Sequence, residues 1–203
     1  MSNETKEKLL AIATEHFVKH GYEGARMDAI ATDSGFNKAT FYYHFKNKEE
    51  LYKSVLVSIL STIDLSIQNI NPTDTPQEKL KTYLYGLVNF FGSNEHYAIL
   101  MMREVSSGGK HFSIEVAGGM MKIMKTFVSI LHEGIEKKVF RPATPIFLHL
   151  MTIGTLVIFN ASKSIRQNLS NLDIPLDAGL SITNEEISEN LYLALYGILR
   201  SDI

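Results

Sequence analysis

At 203 residues, with 45% hydrophobic side chains and a mean hydropathy of −0.01, the chain is long enough to bury a core and too apolar for a disordered tail. Its formal net charge of −2 excludes a global positive field, so any surface for nucleic acid must be local. The absence of cysteine excludes disulfides and thiolate metal sites and is compatible with a reducing compartment.

The start, "MSNETKEKLL", is charged and helical in character, which predicts no secretory leader and a cytoplasmic protein. Leu9, Leu10, Ala13 and Phe17 recur at helical spacing, and Gly21 stands where a left-handed cap would end a first helix. Met27, Ile30 and Ala31 make a second, short helix that stops at the turn formers Asp33 to Gly35. Asn37 caps a third, with Phe41 and Phe45 on one side and Lys38, Tyr42 and His44 elsewhere. Lys48, Glu49 and Glu50 open a fourth, running through Leu51, Val55, Ile59 and Ile63.

From Ser61 to Pro76 the prolines, asparagines and threonines predict a loop. Further helices follow over Gln77 to Phe91, Glu95 to Ser106 and the methionine-rich His111 to Lys138. Pro145 suits the first turn of an eighth helix, reaching about Arg166. Within it, Ile146 to Phe159 falls short of the about 20 residues a membrane span needs. That stretch is read as a buried helix, and no membrane partner is expected. A polar loop from Asn168 to Asn184 precedes a last helix, Glu185 to Arg200. No segment alternates with period two, so the expected fold class is all-α, about nine helices, without internal repeats.

The run "FNKATFYYHFKNK", Phe36 to Lys48, holds three lysines, several aromatic rings and no acid. A helix, a turn with Gly35 and a second helix is the layout of a helix-turn-helix, whose second helix lies in the major groove. On that layout Phe41 and Phe45 anchor the helix, leaving Lys38, Thr40, Tyr42, Tyr43 and His44 for DNA. Aromatics at helical spacing are as often plain core, and lysines as often a solvated face, so these features alone leave DNA binding open.

The stretch "HFVKHGYEGARMDAIATDSGFNKATFYYHFKNKEEL" resembles the N-terminal signature of the TetR family of bacterial transcriptional repressors. The resemblance implies a DNA-binding domain over residues 1–47 and a ligand-binding and dimerisation domain over 48–203. By that resemblance Asn37 to His44 is the recognition helix: Lys38, Ala39 and Tyr42 reach bases, while Thr40, Tyr43, His44 and Lys48 meet phosphates of a double-stranded operator. Lys48 also opens the fourth helix, where free N–H groups favour a phosphate. Ala25 and Arg26 stand where family members commonly carry Thr or Ser. The hydroxyl cap is missing there, and Arg26 is either a phosphate contact or a solvated residue.

Beyond about Val57 the resemblance is weaker. It implies a homodimer through the last two helices, Pro145 to Arg166 and Glu185 to Arg200, where Ala194 and Gly197 permit close approach. It also implies a small-molecule effector, expected to be apolar. The soft or flat side chains Phe90, Met101, Met102, Met120, Met121, Met124, Phe127 and Phe159 can line an adaptable cavity. His96, Arg103, Glu104, His149 and Asn160 are the polar candidates to orient a ligand, although residues of this kind are more often surface or helix-pairing residues. "HEGIE" sets His132 and Glu136 four apart, but two ligands make no metal site. There is no GxGxxG, Walker or GxSxG motif, so neither a catalytic residue nor a cofactor is expected. The rival reading is an activator or ligand-independent regulator with the same DNA head.

Overall fold

The computed structural model describes residues 3–170 and 182–201. Among these there are ten α-helices and no strand beyond an isolated bridge between Phe140 and Arg200. In chain order they are α1 (Asn3–Gly24), α2 (Met27–Asp33), α3 (Lys38–His44), α4 (Lys48–Ser66), α5 (Pro76–Ser93), α6 (Glu95–Ser106), α7 (Ile114–Glu136), α8 (Pro145–Ala161), α9 (Lys163–Ser170) and α10 (Asn184–Leu199). The first three form the head; α4 runs from it into the body, packed on α1 and α7. In the body α5 pairs with α10, and α6 with α8.

Among the described residues, short polar side chains cap five of the ten helix starts. Asn37 and Asn47 accept from the N–H groups of Ala39 and Glu50, each at 2.8 Å. Reciprocal capping boxes, Thr75 with Glu78 and Thr183 with Glu186, open α5 and α10. Gly21 has the positive φ expected of it (69°), but its ψ of 176° is extended, not that of a left-handed cap: the helix kinks there and continues for another turn, with Ala25 N–H reaching back to the Gly21 carbonyl. Gly35 makes the tight turn between α2 and α3, also at φ 69°.

Four expectations are corrected. The fourth helix extends to Ser66, so the loop begins later than Ser61: Ser61, Thr62 and Ser66 satisfy their hydroxyls on backbone carbonyls three or four residues back, so these polar residues are accommodated within the helix. The expected eighth helix is two, which makes ten where nine were read. Ser162 donates its hydroxyl to the carbonyls of Ile158 (2.7 Å) and Phe159 (3.2 Å), Arg166 also binds the Phe159 carbonyl, and the axis bends by 54° between α8 and α9. Residues 168–170 are therefore helical, and 171–181 of the expected loop lie outside the described residues. Finally, Ile146 to Phe159 is not wholly buried. Leu148, Thr152, Leu156 and Val157 face the core, while Ile146, Phe147, Leu150 and Ile158 are exposed, because the body packs against one side of α8 only. No single helix among the described residues is long and apolar enough to cross a membrane.

Candidate nucleic-acid interface

Helix α3 separates its side chains cleanly. Phe41 and Phe45 are buried, with ring centroids 5.9 Å apart, in a core that includes Phe17, Ile30, Ala31, Leu51 and Val55. Each buried ring contributes about 1.5–3 kcal/mol, enough to hold so short a helix in place. The opposite side exposes Lys38, Ala39, Thr40, Tyr42 and Tyr43, the last at 80%. His44 is half-buried, edge-on to Tyr43.

The Asn37 side-chain oxygen is committed to capping α3, which leaves its amide N–H groups facing out. Arg26 is exposed at the start of α2, with extended backbone and no side-chain cap. Lys48 is half-buried. Its Nζ donates to the carbonyls of Glu23 (3.1 Å) and Ala25 (3.4 Å) and lies 4.7 Å from the centre of the Tyr22 ring. Two of its three protons thus tie the end of α1 to the start of α4.

Two arrangements escaped the sequence reading. Asp28 of α2 accepts from both Lys38 and Tyr42 through one oxygen. Lys38 pulls the Asp28 carboxyl below its ordinary range, first by hydrogen bond and then by charge, with Tyr42 adding to it. Where the head meets the body, Glu104 of α6, at 2% exposure, accepts the Tyr52 hydroxyl at 2.8 Å and shares the same oxygen with His111 Nδ1 at 3.0 Å. Tyr22 lies against the His111 ring at 4.1 Å, and burial, then the hydrogen bond to Glu104, pushes the Tyr52 phenol well above its usual range. Arg103 donates to the Phe17 carbonyl of α1. Residues of α1, α4, α6 and the α6–α7 loop are therefore locked together.

The candidate ligand residues divide between regions. Phe127 is buried beside Tyr83 and His149, and Phe90 packs on Phe91 and Tyr97. Met101, Met102 and Met124 are half-buried, whereas Met120 and Met121 are exposed along α7. Phe159 lies under the Arg166 guanidinium, 3.6 Å from ring centre to carbon, and Asn160 donates to the Leu156 carbonyl. These two line a cleft of about 200 Å³ with Lys163, Arg166 and Asn184. His96 is exposed, as are His132 and Glu136 of α7.

His149 is half-buried, its Nδ1 3.4 Å from the Tyr83 hydroxyl, and burial holds its imidazole below the ordinary 6.5. Above that pH the ring is neutral folded or unfolded. As pH falls below it, the unfolded chain takes the proton first and stability drops. His149→Gln is expected to shrink the difference between urea midpoints at about pH 7.5 and about pH 5.5. An undiminished difference would place the acid sensitivity elsewhere.

With this geometry in view, similarity to known proteins is informative. Residues 9–55 match the family described as "Bacterial regulatory proteins, tetR family", and residues 76–179 match "Tetracyclin repressor-like, C-terminal domain". The chain is 26% identical over 147 residues to the uncharacterized HTH-type transcriptional regulator YhgD of Bacillus subtilis, covering 71% of this chain and 76% of that one. It is 29% identical over 133 residues to IcaR of Staphylococcus epidermidis, the HTH-type negative transcriptional regulator of the biofilm operon icaADBC, covering 65% and 68%. Among solved structures, FadR from Bacillus subtilis in complex with stearoyl-CoA superposes with a TM-score of 0.70 at 19% identity, over 95% of this chain and 98% of that one. An all-helical chain with a helix-turn-helix head, matched in its head and through most of its body, belongs to the TetR family of bacterial transcriptional regulators.

Proposed function

We propose that the chain is a ligand-responsive repressor whose homodimer places two α3 helices in adjacent major grooves of a palindromic operator. The observation that carries this reading is the split of α3: anchoring rings inside, and Lys38, Ala39, Thr40, Tyr42 and Tyr43 outside. Lys38, Ala39 and Tyr42 meet base edges. Arg26, Asn37, Thr40, Tyr43, His44 and Lys48 meet the backbone. Residues 1–47 act as the DNA-binding unit and 48–203 as the unit for effector and dimer. IcaR, a negative regulator by name, supports repression.

The dimer is supported by the exposed apolar side chains Phe147, Leu150, Met151 and Ile158 along one stripe of α8 and Leu193 on α10, with open space at Gly154 and Gly197. Between α8 and α10 runs an apolar groove of about 310 Å³ lined by Met151, Phe159 and Ala194. A small apolar effector enters the body among Met101, Met102, Met124 and Phe127, with Tyr83 and His149 as polar handles; the stearoyl-CoA bound to FadR supports an apolar moiety. Its binding is relayed through α4 to the spacing of the two heads, a coupling typically of about 1–3 kcal/mol.

The test is an anisotropy titration of the purified protein against DNA flanking its own gene, with scrambled DNA as competitor, at two salt concentrations. Competitor-resistant binding is expected, whereas equal loss to scrambled DNA would refute an operator. Tyr42→Ala is expected to lower specific binding and spare the fold. Lys48→Ala should weaken binding to every sequence and flatten the salt slope by about one unit. If both variants bind like the parent, the assignment of α3 and Lys48 to DNA is wrong.

A further inference from the structure

An acid on a surface meant for phosphates weakens DNA binding at long range, so Asp28 on the head calls for an explanation. It stands in the first turn of α2, and its side chain is 67% exposed. Its Oδ1 accepts from Lys38 Nζ at 3.3 Å and from the Tyr42 hydroxyl at 3.2 Å. Those donors lie one helical turn apart on α3 and are two of the side chains assigned above to base edges. A lysine released from such a partner is a flexible point charge that satisfies itself on any phosphate. Held with Tyr42 on one carboxylate oxygen, it is confined to one orientation over the groove, where the acceptors of a guanine edge can use its remaining protons.

We infer that Asp28 is a positioning residue for base recognition: it fixes Lys38 and Tyr42 for reading and withholds Lys38 from non-specific phosphate contact. It thereby lowers affinity for all DNA and raises the ratio of specific to non-specific binding. This rests on the assignment of α3 to the major groove. It adds a determinant that itself need not touch DNA.

The test uses the full chain, a duplex selected from a random pool by the parent protein, and a scrambled duplex of equal length, titrated over a range of salt. Asp28→Asn keeps an acceptor oxygen and the side-chain shape but removes the charge. It is expected to tighten scrambled-duplex binding several-fold, to steepen the salt slope by about one unit, and to lower the specific-to-scrambled ratio about ten-fold. Asp28→Glu restores the parent's slope. In a Lys38→Ala, Tyr42→Ala background, Asp28→Asn should no longer steepen the slope.

An unchanged ratio and slope in Asp28→Asn would overturn the inference. So would the same steepening in the doubly substituted background, which would reduce Asp28 to bulk charge. The underlying reading of α3 is checked by the background alone: a parental ratio with Lys38 and Tyr42 both removed refutes that reading and this inference together. Loss of the ratio there, with a parental Asp28→Asn, refutes only the inference.

Discussion

Leu150→Glu combined with Ile158→Glu is expected to yield monomers in sedimentation and to lower specific operator affinity by about 10²- to 10⁴-fold, while the protomer still melts cooperatively. Both side chains are about 60% exposed on α8, so glutamate there disturbs little inside the protomer. Across the symmetric interface proposed above, each substitution would meet its own copy or the apolar stripe of the partner, burying charge without a counter-ion. Half-sites one helical turn apart are read together only when two heads are joined, and the loss of that joining sets the magnitude. A variant that remained dimeric and bound the operator normally would move the interface away from α8 and α10.

Glu104→Ala should destabilise the folded chain by about 3–5 kcal/mol in urea denaturation at fixed protein concentration. The carboxylate is 2% exposed and is the shared acceptor of the Tyr52 hydroxyl, the His111 ring and the His111 N–H, so truncation strands buried donors. Glu104→Gln, which keeps an acceptor oxygen, should cost markedly less. A change below about 1 kcal/mol for Glu104→Ala would show that the cluster is solvated and does not lock head to body. Tyr52 lies on α4 and His111 just before α7, so the α4 shift proposed above would have to break or carry this cluster.

Local periodicity and residue type were enough to determine the all-helical class, the head, the cap at Asn37, the turn at Gly35, and the buried pair Phe41 and Phe45. Those features are set by neighbours within one or two turns, where helical spacing assigns the faces. Tertiary structure alone decided which side of α8 stays open, since an apolar run with only scattered polar residues carries no clear moment to say so. The break at Ser162 depends on a hydroxyl competing for backbone carbonyls, which a residue type permits without requiring. The pairing of Asp28 with Tyr42 spans 14 positions, and that of Tyr52 with Glu104 spans 52. Separations of that kind leave no periodic trace: a carboxylate finds its donors only when packing brings their helices together.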